Sequence, residues 1–451
     1  MSGGIDRRSF LKTASVAIGA GVVVAKSTTA LGAVVTGNVK SVAGLKVAPI
    51  DIVRVGMIGV GARGPGHMNT YLHLDGCEVR AICDTHEPSA LKAQSRVVKA
   101  GQPKPEIYTK GDYDYRRMLE RDDIDIVVIA TPWRWHVPMA VDAMNAGKHA
   151  FVEVPAAVTV EGCWKLVDTA EKTQMHCMML ENCCYGRDEL MALNMARLGI
   201  FGDLTYGEGG YIHNLRSQMR DLTHGCGFWR TGYHERRNGN LYPTHGLGPI
   251  AQYMSINRGD RFDYMTSTSS PALGRAEFAA KTWPADHPRN KAEYTCGDMN
   301  VSLIKTVKRR LITVKHDTTT PRPYDRVNLI AGTKGTFRGY PSRVSIEGRG
   351  GHVWQDINKC RADFEHPLWT RMGEEATKAG GHGGMDFLMN WRLIYCLRNG
   401  EPLDQDVYDA ASWSVIGPLS DVSVANRSNS VDIPDFTRGN WKTTKPLDII
   451  T

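Results

Sequence analysis

Between residues 53 and 84 an apolar strand enters a glycine turn, then a short helix, then a second strand that ends on an acid. Few folds accommodate that order. VRVGMIGV supplies the strand, Gly59-Val60-Gly61-Ala62-Arg63-Gly64 the turn, and EVRAICD closes on Asp84, twenty residues past Gly64. In a G-x-G-x-x-G turn the first glycine permits the tight bend. The second lets a pyrophosphate approach the backbone, and the third lets the helix pack close to the strand. The phosphates then sit at the positive end of the following helix. A carboxylate at the end of the second strand accepts hydrogen bonds from a ribose diol and repels a 2′-phosphate, so the pattern favours NAD over NADP. Gly59, Gly61, Ala62, Arg63, Gly64 and Asp84 are the cofactor candidates on these grounds.

The alternation continues to about residue 180. Helices are expected over 66–75, 88–101, 113–123, 137–146 and 162–174. Strands are expected over 124–132, 148–155 and 176–181. Strands separated by helices of this length make a parallel sheet covered on both faces. Beyond a helix at 188–199 the pattern turns to strand-like pieces: 204–213, 261–270, 299–317, 326–337 and 342–348. They predict an open, largely antiparallel sheet. MDFLMNWRLIYCLRNG (385–400) reads as an amphipathic helix with Asp386 as N-cap and Asn399-Gly400 as its stop. The expected architecture is an α/β Rossmann domain over 53–180 followed by an α+β domain over 181–440. Residues 34–52 read as a linker and 441–451 as a tail.

The N-terminus has three parts. Arg7-Arg8-Ser9-Phe10-Leu11-Lys12 precedes a weakly apolar stretch from Thr13 to Ala25 and a small-residue region, STTALGA. The apolar stretch is too short to span a membrane. It resembles a twin-arginine signal over residues 1–33, which implies export of the folded protein to the periplasm or beyond. No cysteine follows closely enough for a lipid anchor. The net charge of +7 is partly carried by this segment, and no basic stripe with interleaved aromatics follows it. Nucleic acid is therefore a poor partner. Ten cysteines in 451 residues include no CxxC pair, so they read as small apolar residues. HERRN is not HExxH, no Cys/His run has zinc spacing and no GxSxG elbow occurs, so no metal is expected.

ATPWRWH (130–136) ends the third strand, at the sheet edge where open α/β folds bind ligands. Trp133, Trp135 and His136 either line the nicotinamide half of the site, or Trp135 packs and His136 caps the next helix. EVP (153–155) then brings in a specific resemblance. The chain is similar to the glucose-fructose oxidoreductase/inositol dehydrogenase/MocA superfamily, whose members usually carry Glu-Lys-Pro here with the lysine at the catalytic centre of the dehydrogenases. This chain has Glu153-Val154, and valine neither donates a hydrogen bond nor takes a proton.

The segments 180–204, 207–216, 228–249 and 380–386 together resemble glycoside hydrolase family 109, over nearly the whole stretch from 53 to 440. Members are NAD-dependent α-N-acetylgalactosaminidases. The resemblance implies a cycle in which the sugar C3 hydroxyl is oxidised, the C2 proton is lost, the C1 substituent is eliminated, water adds and the hydride returns. Hydrolysis is then retaining and consumes no NAD. In NLYPTHG, Tyr242 and His245 are three apart, a spacing that puts both on one face of a helical turn. His245 is the candidate base for the C3 hydroxyl, with Tyr242 as relay. By the resemblance both also lie against the cofactor, as do Glu153, Val154 and Asn182. Tyr211, Arg230, Tyr242 and Tyr324 match substrate contacts. Tyr185 and His213 are candidates for the C2 base, which the sequence does not assign. His382 and Asp386 lie in a glycine-rich loop that either closes over the sugar or is a mobile loop followed by a helix cap, the cap being the simpler reading for Asp386. An exported NAD(P)-dependent sugar oxidoreductase is the competing function, weakened by Val154. A sugar-binding protein with a vestigial cofactor site is the third, weakened by the intact glycines and Asp84. The superfamily's open sheets often pair, so a homo-oligomer is expected.

Overall fold

The computed structural model describes residues 40–350 and 352–446. The twin-arginine segment, residues 34–39 of the expected linker and 447–451 of the tail lie outside the described residues.

Six strands form the first sheet: β1 Val53–Ile58, β2 Cys77–Cys83, β3 Glu106–Tyr108, β4 Ile126–Ile129, β5 His149–Val152 and β6 Cys177–Met179. Their order is β3-β2-β1-β4-β5-β6 and every pair is parallel. β4 and β5 are buried at all their positions, as strands covered by helices on both faces must be. The strand order reverses between β1 and β4, which opens a crevice at their carboxyl ends. β3 was not expected. Three residues are too few to show a period, and its pairing with β2 defines it.

Nine strands form the second sheet: β7 Leu204–Ile212, β8 Phe262–Ser269, β9 Met299–Thr306, β10 Leu311–Asp317, β11 Leu329–Gly332, β12 Gly335–Arg338, β13 Arg343–Ile346, β14 Gln355–Asp356 and β15 Val431–Asp432. The order is β14-β13-β12-β11-β7-β10-β9-β8-β15. All pairs are antiparallel except β7 with β10. The run 299–317, read as one piece, folds back between β9 and β10. Helix Thr244–Tyr253 lies on β7 at a backbone-to-backbone approach. A Cβ on Gly209 would stand 2.1 Å from the Gly246 carbonyl oxygen, and one on Gly246 would stand 2.2 Å from the Gly210 nitrogen. Only glycine permits that contact, and it seats His245 beside the end of β7.

Two expectations are corrected. Helix Met385–Asn399 is capped by Gly384 in the left-handed region, not by Asp386, whose carboxylate is engaged elsewhere. The described part of the linker does not run free. Val42 is buried, its amide donates to the Tyr408 hydroxyl at 3.2 Å, and the Ile50 amide donates to Leu397 at 3.1 Å.

Candidate active site

The crevice between β1 and β4 is a cavity of about 380 Å³. Its walls come from the glycine turn, Asp84, the 130–136 segment, Glu153, Val154 and the 223–230 segment. Gly59 takes φ +85°, and a Cβ there would lie 2.7 Å from the Ala130 carbonyl oxygen. A Cβ on Gly64 would overlap the Gly59 carbonyl at 1.9 Å. On Gly61 it would meet only the His224 ring, at 3.4 Å. Two glycines thus serve the chain's own packing, and the middle one leaves the backbone open to the cavity. Asp84 accepts from the Val60 amide and from the His86 amide, both at 2.8 Å. Its carboxylate fastens the turn and lines the cavity. His224 reaches over the cavity to His86, ring centroids 4.5 Å apart.

At the other end of the crevice an aromatic and imidazole cluster is assembled from distant segments. Trp133 stacks on Tyr242 at 5.8 Å, and Tyr242 lies 4.5 Å from Tyr211 and 4.9 Å from His245. Tyr242 precedes helix Thr244–Tyr253 instead of sharing a turn of it with His245. The two meet because both pack on Tyr211. The Arg230 guanidinium lies over the rings of Trp133, Trp229 and Tyr242 at 5.2, 5.4 and 5.1 Å. Its Nε is buried without a hydrogen-bond partner, a state that a ligand's oxygen would relieve. His213, just past β7, has Nδ1 3.1 Å from the Tyr211 hydroxyl and its ring 5.0 Å from Tyr324. Burial, then the charges of Arg230, His245 and His382, lower its pKa. His213 is thereby neutral, and a proton acceptor, at neutral pH.

His245 Nδ1 lies 2.7 Å from Glu181 Oε1. Glu181 is fully buried. Burial raises its carboxyl, and the opposing attraction of His245 outweighs that and leaves the pKa below the ordinary value. The pair fixes the imidazole with Nδ1 on the acid and Nε2 free to act. Glu181 was missed from sequence. One acid in LENCC carries no spacing signal toward a histidine 64 residues later. Among the described residues Glu181, Cys183 and His245 also offer ligand atoms within 4.8 Å of one another. The hydrogen bond between Glu181 and His245 accounts for most of that proximity.

Three expected roles change. Tyr185 is not in the cluster: its hydroxyl donates to Asp404 at 3.1 Å, inside a buried pair of Asp404 with Arg392. It is removed as a candidate base. His136 sits on the cavity wall, but both its ring nitrogens face carbonyl oxygens, of Pro155 and Thr131, each at 2.8 Å. It ties the ends of β4 and β5 together. Asn182 turns its amide to Asp386 at 2.6 Å and does not line the cavity. Trp133 and Trp135 do line it, and Trp133 donates to the Val154 carbonyl at 3.1 Å. Val154 itself is buried and gives the wall an apolar spot.

A polar bridge joins the glycine turn to the C-terminal half. Arg63 donates to Glu153 at 2.8 Å and to both oxygens of Asp386 at 2.7 and 2.8 Å. His67 Nε2 lies 2.7 Å from Glu153. Burial raises both carboxyls, and the positive partners outweigh it, so both stay ionised. Asp386 is therefore not a simple helix cap.

The residues present fit a dinucleotide: an open glycine backbone, a carboxylate on the cavity wall at the end of β2, and a guanidinium whose Nε has no hydrogen-bond partner. Fold and cleft together define an NAD(H)-binding Rossmann half joined to an open-sheet half. Residues 53–181 match the profile described as oxidoreductase family, NAD-binding Rossmann fold. Levoglucosan dehydrogenase, solved with NADH and levoglucosan, shares the fold with a TM-score of 0.66 and 20% identity, covering 85% of this chain and 100% of that one. Scyllo-inositol dehydrogenase from Lactobacillus casei gives 0.60 and 15%, covering 84% and 99%. Residues 185–443 match glycosyl hydrolase 109, C-terminal domain. A glycosyl hydrolase family 109 protein of Shewanella putrefaciens is 58% identical over 455 residues, 99% of each chain. A protein of Shewanella oneidensis named alpha-N-acetylgalactosaminidase matches at the same identity and coverage. The chain belongs to glycosyl hydrolase family 109 and is a glycoside hydrolase.

Proposed function

We propose that this enzyme releases terminal α-N-acetylgalactosamine from glycans, with retention and with a resident NAD that is not consumed. The observation that carries the reading is the Glu181–His245 pair beside Tyr242 and Tyr211, at the end of the dinucleotide cleft. The name of the Shewanella oneidensis relative supports the substrate. Asp84 supports NAD over NADP, because a 2′-phosphate would face its carboxylate.

NAD⁺, when bound, supplies a reversible hydride acceptor for the sugar C3 and so acidifies the C2–H. His245 takes the C3 hydroxyl proton, steadied by Glu181. Tyr242 orients that hydroxyl. His213, neutral and supported by Tyr211, takes the C2 proton. Arg230 and Tyr324 hold sugar oxygens. Val154 adds no competing acid–base group.

The test is p-nitrophenyl α-N-acetylgalactosaminide given without added cofactor. Nitrophenol release with no NADH accumulation is expected. NADH accumulating on free sugars, with no glycoside cleaved, overturns the reading in favour of a sugar oxidoreductase. The reading includes export by the twin-arginine route, tested by whether Arg7→Lys with Arg8→Lys retains the protein inside the cell. It also includes a homo-oligomer through the second sheet, where Tyr264, Leu303 and Leu311 are exposed on one face. Light scattering checks that.

A further inference from the structure

The aromatic cluster continues past the sugar. From Tyr242 the rings run outward through Tyr211 and Tyr324 to Tyr340, with successive centroids 4.5, 6.3 and 6.1 Å apart. Exposure rises along the row: Tyr242 is 6% exposed and Tyr211 7%, whereas Tyr324 and Tyr340 are each 37% exposed. Tyr340 sits in the turn between β12 and β13. Its φ is +55°, in the left-handed region, where a bulky side chain persists only if its surroundings hold it. They do. The Gly339 amide donates to the Val327 and Asn328 carbonyls at 3.1 and 3.0 Å. That segment is in turn bound to the end of β7. The Gly210 amide donates to the Arg326 carbonyl at 2.9 Å, and the Ile212 amide donates to the Asp325 carbonyl at 3.1 Å. The Tyr340 turn is thus pinned to the strand that carries Tyr211. Arg326 fixes the two outer rings. Its guanidinium lies 5.7 Å from the Tyr324 centroid and 5.3 Å from that of Tyr340, and it donates to the Tyr324 hydroxyl at 3.3 Å. Arg326 is itself buried and paired with buried Glu189. Among the described residues the Tyr340 hydroxyl has no hydrogen-bond partner.

A pyranose presents a face of C–H groups and a rim of hydroxyls. Tyrosine answers both, with an apolar ring and a polar tip. A row of tyrosines that leads from a buried sugar site to the surface therefore follows an oligosaccharide ring by ring. Glu189 matches the charge of Arg326 inside the wall, so the platform offers rings and hydroxyls without net charge, which suits a neutral sugar. We propose that Tyr340, together with Tyr324, forms the subsite for the sugar to which the terminal α-N-acetylgalactosamine is linked, a neutral hexose. The proposal rests on the glycosidase reading above and names what lies beyond the bond that is cleaved. Tyr340 meets no reacting atom. It selects a glycan over a simple glycoside.

The test gives the enzyme two substrates: methyl α-N-acetylgalactosaminide, and the disaccharide in which α-N-acetylgalactosamine is (1→3)-linked to galactose. The readout is the ratio of kcat/KM on the disaccharide to kcat/KM on the methyl glycoside, in which any general loss of folded enzyme cancels. The wild type is expected to prefer the disaccharide. Tyr340→Asn removes the ring and tolerates the left-handed backbone. It should lower the ratio about tenfold. Tyr340→Phe keeps the ring and should lower the ratio by at most about threefold. A wild type without preference for the disaccharide, or equal losses on both substrates in Tyr340→Asn, overturns the subsite while leaving the glycosidase reading intact. A changed oligomeric state in Tyr340→Asn with an unchanged ratio also overturns it, and assigns the outer rings to a contact between copies of the chain. A wild type inert on both substrates removes the glycosidase reading and the subsite with it.

Discussion

The two ends of the cleft are built in opposite ways. The dinucleotide end is local: β1, its glycine turn and Asp84 at the end of β2 lie within one run of the chain, and backbone does most of the work. The far end is assembled from Trp133, Glu181, Tyr211, His213, Arg230, Tyr242 and Tyr324, none adjacent in sequence, and side chains do the work. The lesson is that a cofactor site can be carried by a short motif, whereas the chemistry performed with it depends on how the second domain is docked. Arg63 and Asp386 bridge the two ends, so neither is wholly independent of the other.

The sharpest separation of the two ends is His245→Ala. It should lower kcat by about a hundredfold to ten-thousandfold while the bound NAD, measured by release on denaturation, is unchanged. The mirror variant is Asp84→Asn, which should weaken NAD by roughly tenfold to a hundredfold and narrow its preference over NADP in a binding titration. If Asp84→Asn leaves affinity untouched, the ribose assignment fails. Gly246→Ala would force a methyl against β7 and should cost about 1–3 kcal/mol in chemical denaturation. Its activity should fall further than its NAD content, because the displaced helix carries His245.

Acid should weaken the fold through buried histidines. Burial, then each other's charge for His176, lowers His149 to about 4 and His176 to about 3 from an ordinary 6.5. Both are neutral in the folded state and take protons on unfolding below pH 6.5. Stability is therefore full above that value and declines as pH falls toward 4, by up to about 1.4 kcal/mol per pH unit for each. His149→Gln should flatten that slope in denaturation midpoints measured from pH 7 to pH 4. The smallest effect belongs to Tyr185→Phe. It should cost about 1 kcal/mol by breaking the bond to Asp404 and leave kcat within error, and a large fall in kcat would return Tyr185 to the catalytic set.

The sequence by itself determined the first domain, because each of its signals is short in range. A glycine turn needs neighbours only a few residues away, and a strand buried on both faces is apolar throughout, as β4 is. Aromatic and histidine candidates at the far end were legible through family resemblance, and the structure gathers Tyr211, Tyr242, His213, His245, Arg230 and Tyr324 into one cluster. Partners were not legible. Glu181 under His245, Asp404 against Tyr185, and Asp386 between Arg63 and His382 are pairings across 64, 219 and 323 residues. Such pairings follow from which backbones can approach, as at Gly209 and Gly246, and no local period records that. Tertiary structure alone therefore decided which acid serves which base, and so which tyrosines and histidines meet at the far end of the cleft.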